Sequence, residues 1–244
     1  AGTCTLRAAI QQANAGPDAN HVAFDVAAPA EGPVVIAPST PLPAVTAPVT
    51  IDGYSQRGTT AAVLPSAADP AGRPPHLRIA LSGANAPGDG LVVTGSQSVI
   101  QGLAFFRFTG SAIVLEGAGA AGNVVRGNVV GPDPATGECP AGVTAHGDGI
   151  TLRAGASLNA IGAEDPAMGN VIGCGNLLVA LTDAGSNVVQ GNFIGTGIGP
   201  DSEFDADSYA DPRPYFRNLI GDTDQFLSPY GVFIGSASAD GRPG

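Results

Sequence analysis

Three kinds of side chain in this sequence could do chemistry: isolated carboxylates, isolated guanidinium groups and one dense acidic run. Asp52, Asp89 and Asp148 are the best isolated acids and Arg107, Arg126 and Arg153 the best bases, because each lies on or beside an apolar run of strand length. A polysaccharide lyase sets a base, usually Arg or Lys, beside carboxylates, and a glycoside hydrolase sets two carboxylates across a glycosidic bond. These six residues are therefore what a carbohydrate-active enzyme would use, but none stands in a recognisable catalytic signature. Asp89 and Asp148 hold the same place before a strand, in Asp89-Gly-Leu-Val-Val and Asp148-Gly-Ile-Thr-Leu, which reads as turn capping repeated by the architecture. His146, in Ala145-His-Gly-Asp148, reads as a solvated turn residue, and His21 and His76 offer less. No Ser/His/Asp order, nucleotide-type glycine loop or zinc spacing stands out, so no catalytic residue is assigned.

The acidic run Asp201-Ser-Glu-Phe-Asp-Ala-Asp-Ser-Tyr-Ala-Asp211 is the strongest local signal. Carboxylates alternate at Asp201, Glu203, Asp205 and Asp207, and hard oxygen ligands so spaced suit calcium. The run lacks the central Gly and terminal Glu of a helix–loop–helix calcium site. Its plainer reading is a solvated acidic loop, with a calcium site as the alternative and calcium the one cofactor considered.

The elements that would position such groups are announced by composition. With 36 Gly, 21 Pro, no Trp, 43% apolar residues and only 13% charged ones, the chain is turn-rich, with short strands around a small-residue core. Ten Arg and no Lys stand against 21 acidic residues, a formal net charge of −11. An acidic field repels phosphates and anionic lipid, which disfavours nucleic-acid and membrane-surface partners, and no apolar run approaches the roughly 20 residues of a membrane helix. Three cysteines, Cys4, Cys139 and Cys174, lack metal-type spacing. A Cys139–Cys174 disulfide is one possible pairing, which would leave Cys4 over.

Internal repeats dominate the middle of the chain. Asn123-Val-Val-Arg-Gly-Asn-Val-Val-Gly131 returns as Asn187-Val-Val-Gln-Gly-Asn-Phe-Ile-Gly195, with degenerate copies from Ser98, Asn170 and Asn218. A second phrase alternates with it, in runs from Asp89, Ser111, Asp148, Asn176 and Tyr230. Two such phrases plus turns fill a period of roughly 20 to 28 residues, the length of one solenoid coil. The spacers are too short and glycine-rich for crossover helices. The fold class expected is all-β: one right-handed parallel β-helix over residues 1–244. Inward Val, Ile and Leu stack about 4.8 Å apart, and the repeated Asn128, Asn192 and Asn176 hydrogen-bond up the stack at turns. The stretches 132–147 and 199–217 are expected to leave the coil as loops, and 57–75 to separate irregular early coils from regular ones.

One segment reads as helix. Thr5 can cap Leu6-Arg-Ala-Ala-Ile-Gln-Gln-Ala13, whose Leu6, Ala9, Ile10 and Ala13 form an apolar stripe stopped by Gly16-Pro17. Such a helix would cover the first coil, whose strand edges would otherwise lie open.

Cys4-Thr-Leu-Arg-Ala-Ala-Ile10 with Ala13-Asn14, then Val49-Thr-Ile-Asp-Gly-Tyr-Ser-Gln56, then the Asn-Val-Val-x-Gly-Asn phrases, resemble the bacterial surface proteins named for a CSLREAI-type N-terminal motif. The resemblance covers nearly the whole chain and implies export and a pectin-lyase-like solenoid within a larger surface or adhesin-like protein. Ala8 departs from the pattern, standing where the family often has Glu and so removing the capping-box partner. The chain is accordingly expected to be an extracellular or cell-surface structural or adhesive module, a segment of a longer protein or assembly. Its expected partners are other copies stacked head to tail, glycans or cell-surface components. The alternatives are a polysaccharide lyase or hydrolase and a passive glycan-binding module of the same fold.

Overall fold

A computed structural model describes residues 4–64, 73–137, 139, 147–174, 179–194 and 232–235. Helix α1 (Leu6–Ala13) is followed by strands β1 (Asn20–Ala23), β2 (Val34–Ile36), β3 (Val49–Asp52), β4 (Ile79–Ser82), β5 (Leu91–Val93) and β6 (Val99–Gln101). The chain continues through β7 (Ala104–Phe106), β8 (Ile113–Glu116), β9 (Val124–Arg126), β10 (Val129–Val130), β11 (Ile150–Arg153) and β12 (Ala160–Gly162). Strands β13 (Val171–Ile172), β14 (Val179–Thr182), β15 (Val188–Gln190), β16 (Phe193–Ile194) and β17 (Val232–Gly235) complete it. They deal out in rotation into three all-parallel sheets: sheet A (β1-β3-β6-β9-β12-β15), sheet B (β2-β4-β7-β10-β13-β16) and sheet C (β5-β8-β11-β14-β17). The chain is thus a parallel β-solenoid with three strands per turn, and in the first turn Val45, bridged to Val93, stands in for the sheet C strand.

The third strand arises because the Asn-Val-Val-x-Gly-Asn-Val-Val phrase is not one strand. It bends at Gly127-Asn128 and delivers Val124–Arg126 to sheet A and Val129–Val130 to sheet B. Gly102, Gly127 and Gly191 take φ of 69°, 60° and 64° at this corner. The left-handed conformation turns the chain sharply enough that the next residue starts a new sheet, and glycine adopts it without a Cβ clash.

Register stacks like on like. Ile51, Ile100, Val125, Ile161 and Val189 form the inward row of sheet A, and Leu81, Phe105, Val130 and Ile172 that of sheet B. Sheet C adds Leu91, Ile113, Ile150 and Val179, and all of these side chains are buried. Each such side chain removed from water contributes about 1.5–3 kcal/mol. Helix α1 closes the first turn: Thr5 Oγ1 accepts from Ala8 N at 3.2 Å, while Leu6, Ile10 and Ala13 join the same core cluster.

Two asparagine ladders run along the corners. At the sheet A–sheet B corner, Asn128, Asn170 and Asn192 stack, and at the sheet C–sheet A corner, Asn123, Asn159 and Asn187 do. Each Oδ1 accepts the backbone N–H of the rung before it: Leu103 N to Asn128 at 3.1 Å, Asn123 N to Asn159 at 2.9 Å, Asn170 N to Asn192 at 3.0 Å. Each Nδ2 donates to a carbonyl of the preceding turn, as Asn159 does to Ala120 at 2.9 Å. Asn128 and Asn192 therefore hold the ladder places expected of them, with Asn170 as the rung between, whereas Asn176 lies outside the described residues.

Among the described residues of the irregular stretch, Thr60 and Val63 run antiparallel to His76 and Arg73 as the two arms of a hairpin, bridged at Thr60–His76 and Val63–Arg73. With Ala62, Leu77 and Tyr54 it covers the outward Ala80, Ala104, Val129 and Val171 of sheet B in a second apolar cluster. The excursion after β10 is tied back by a Cys139–Cys174 disulfide with a Cα separation of 5.3 Å, and Cys4 is free and exposed.

Candidate functional site

The middle turns of sheets B and C hide their outward rows: Ala80, Ala104 and Val129 on one and Val114, Thr151 and Ala180 on the other are all buried, although Val35 at the start of the sheet B row is 51% exposed. Sheet A alternates differently. In β3, β6, β9 and β15 the residues flanking the buried central one are all at least partly exposed, and these outward positions align from turn to turn.

One aligned row is Asp52, Gln101 and Arg126, which hydrogen-bond in sequence. Asp52 Oδ1 caps the short 3-10 turn Gly53–Ser55 by accepting from Tyr54 N at 3.0 Å. The same oxygen accepts from Gln101 Nε2 at 3.0 Å, while Gln101 Oε1 accepts from Arg126 Nε at 3.0 Å. His21 Nε2 lies 3.4 Å from Asp52 Oδ2. Tyr54 folds over the corner and donates its hydroxyl to Gly127 O at 2.9 Å. Burial pushes its phenol up to about 12, with Arg126 pulling down and Asp52 pushing further up, so the hydroxyl is a neutral donor and no base. The row combines one carboxylate, one amide and one guanidinium, a set suited to hydrogen-bonding a polar ligand.

The other candidate residues are engaged elsewhere. On sheet C, Arg153 holds Asp89 Oδ2 at 3.1 Å and Glu116 Oε1 at 3.3 Å, spanning three turns. Burial opposes the Arg153 charge, but Glu116 and Asp89 outweigh that and raise its pKa. Asp89 also accepts from Ser111 N at 2.8 Å, so the expected capping acts across turns and not within its own. Arg107 lies over the Phe106 ring and 3.4 Å from Asp133. His76 Nδ1 bonds Gly58 O at 3.0 Å in the hairpin, and Asp148 adjoins the strand it precedes, its carbonyl accepting from Ala112 N at 3.0 Å. The structure thus joins Asp52 to Arg126 through Gln101, and Asp89 to Arg153, and leaves Arg107 and His76 apart from both.

His146 and the proposed calcium ligands Asp201, Glu203, Asp205 and Asp207 lie outside the described residues. Among the described residues no group of three or more His, Cys, Asp or Glu could hold a metal ion, and no helix is long and apolar enough to cross a membrane. Gln101, Glu116 and Tyr54 were not singled out by residue type. The signal that finds Gln101 is positional: it ends Val-Ile-Gln101 as Asp52 ends Thr-Ile-Asp52 and Arg126 ends Val-Val-Arg126. No family model, curated protein or solved structure matches this chain, which leaves its own geometry to carry the functional reading.

Proposed function

We propose that this chain is a rigid, disulfide-stabilised module of an extracellular or cell-surface protein, of the kind its N-terminal motif and repeats resemble. The observation that carries the reading is the pair of buried asparagine ladders. Six amides tie successive turns together along two corners, using side chains that offer nothing to solvent. Such networks, fully satisfied, resist local opening, because breaking any rung leaves buried donors and acceptors on two turns. Stiffness of this kind is what a spacer or display module needs. The Cys139–Cys174 bond supports an oxidising compartment.

Head-to-tail stacking through the first turn would require Leu6, Ile10 and Ala13 to leave the core, so the reading puts partner contacts on the faces of the solenoid. The cellular placement is tested by probing intact host cells with an antibody to the native fold. Staining before lysis is expected, and staining only after lysis would overturn it.

A further inference from the structure

We infer that the cleft between the hairpin and the loop after β10 is a binding site for a small phenol. One wall is Pro74, Pro75 and His76 of the hairpin arm, and the other is Pro134, Ala135 and Thr136 of the loop. The cleft offers about 210 Å3 and closes below on Ala104 and Val129, which are fully buried. An apolar cavity of roughly 150 Å3 is enough to admit benzene, so the volume suits one ring and little more.

Both walls are set before a ligand arrives. On the hairpin side, Thr60 and His76 exchange backbone hydrogen bonds at 2.9 and 3.0 Å, and Gly58 O holds His76 Nδ1 at 3.0 Å. On the loop side, Asp133 O accepts from Thr136 N at 3.2 Å and from Gly137 N at 2.7 Å, while Asp133 Oδ1 accepts from Ala135 N at 3.0 Å. The Cys139–Cys174 bond then ties the far end of the loop to the solenoid. A site preformed in this way loses little binding free energy to the ordering of its own walls.

The lining selects the ligand. Three proline rings present stiff C–H faces, the surfaces that pack on aromatic rings when proline-rich segments dock into aromatic grooves, and here the prolines are on the receiving side. His76 supplies the hydrogen bond. A carbonyl can only accept, so Nδ1 carries the proton that faces Gly58 O, and Nε2 of the neutral imidazole is left as an acceptor. A ring bearing one donor, a phenol, satisfies both demands, and being neutral it meets no repulsion from the net charge of −11. A tyrosine side chain of another protein carries the same ring, but its backbone would find no unpaired strand edge beside the cleft. Thr60 and His76 pair with each other, and the N–H groups of Thr136 and Gly137 are taken by Asp133.

The test titrates the full chain by NMR with phenol, with toluene and with a blocked Gly-Tyr-Gly tripeptide. Saturable phenol binding in the millimolar range or tighter is expected, together with slowed hydrogen exchange at the Thr60 and His76 N–H groups that brace one wall. His76→Phe keeps a ring on that wall but removes the acceptor, so it should weaken phenol about fivefold and leave toluene unchanged. Ala135→Trp, which fills the cleft, should abolish binding of both, whereas Gln190→Ala on sheet A should change nothing. The tripeptide should bind no more tightly than phenol. Absence of phenol binding, exchange at Thr60 and His76 that phenol leaves unaltered, equal losses for phenol and toluene in His76→Phe, or full affinity in a folded Ala135→Trp variant would each overturn the proposal. So would a tripeptide that binds more tightly than phenol, which would make the ligand a polypeptide. None of these results bears on the rigid-module reading, which depends on the corners and not on this cleft.

Discussion

The corners of the solenoid and the outer face of sheet A are built from the same repeated phrase, yet they treat polar side chains in opposite ways. In Asn123-Val-Val-Arg-Gly-Asn128 both asparagines are buried and bonded to neighbouring turns, whereas Arg126 between them faces outward. At the corner the chain turns away from its own ladder, so backbone groups would be orphaned without a side-chain amide to take them. On the face the backbone is already paired in the sheet, so the outward side chain is not needed to satisfy it, and Arg126 bonds only its neighbour in the row, Gln101. The difference separates positions that hold the fold from positions open to solvent, two or three residues apart.

That separation can be broken by mutation. The largest effect is expected at Asn159→Ala, which strips partners from Asn123 N and from one hydrogen of Asn123 Nδ2, and removes the tie to Ala120 O, which keeps only Ser157 N. With roughly 1–3 kcal/mol for each buried group left unpaired, the loss should reach about 3 kcal/mol or more by chemical denaturation. Gly127→Ala comes next: a Cβ there would meet Tyr54 Oη and sit on a residue at φ +60°, so a loss of about 2 kcal/mol is expected, accompanied by a shift of the Tyr54 resonances.

Tyr54 itself supplies a pH test. Its folded pKa of about 12 exceeds the unfolded value of 10.0, so the unfolded chain releases the proton first. The stabilisation is complete below pH 10 and disappears as pH rises through 12. Wild type should therefore lose stability over that window by an increment absent from Tyr54→Phe. A smaller effect of opposite sign is expected at Leu158, which is 68% exposed and held at φ 59° at the corner before Asn159. Leu158→Asn should gain roughly 0.5–1 kcal/mol, since Asn tolerates the left-handed region better. Smallest of all, Arg126→Ala should change stability by no more than about 0.5 kcal/mol, because it touches only the outward row.

Much of the fold was legible because a solenoid repeats its words. The strands from Asp89, Ser111 and Asp148 and the capped helix are found where residue type and spacing put them, whereas the cysteine pairing, left open by the sequence, is settled as Cys139–Cys174 only by the fold. The third strand per turn was not, because the bend at Gly-Asn interrupts no apolar alternation. The corner ladder through Asn159 was hidden for a related reason: Asn159-Ala-Ile-Gly162 keeps the geometry of the repeat but not its letters. The candidate site was the least legible part. Residue chemistry drew the eye to Asp89, now seen bound to Arg153, while Gln101, with no reactive group, proved to be the link between Asp52 and Arg126.

The central claim, that the amide-laddered corners make one stiff unit, is most directly tested by native-state hydrogen exchange. The N–H groups of Asn123, Asn128, Asn159 and Asn170 should exchange only through global unfolding, with a common opening free energy, while Thr60 and His76 in the hairpin should open locally and sooner. Corner amides that exchange as fast as the hairpin, or with opening energies that differ from rung to rung, would contradict it.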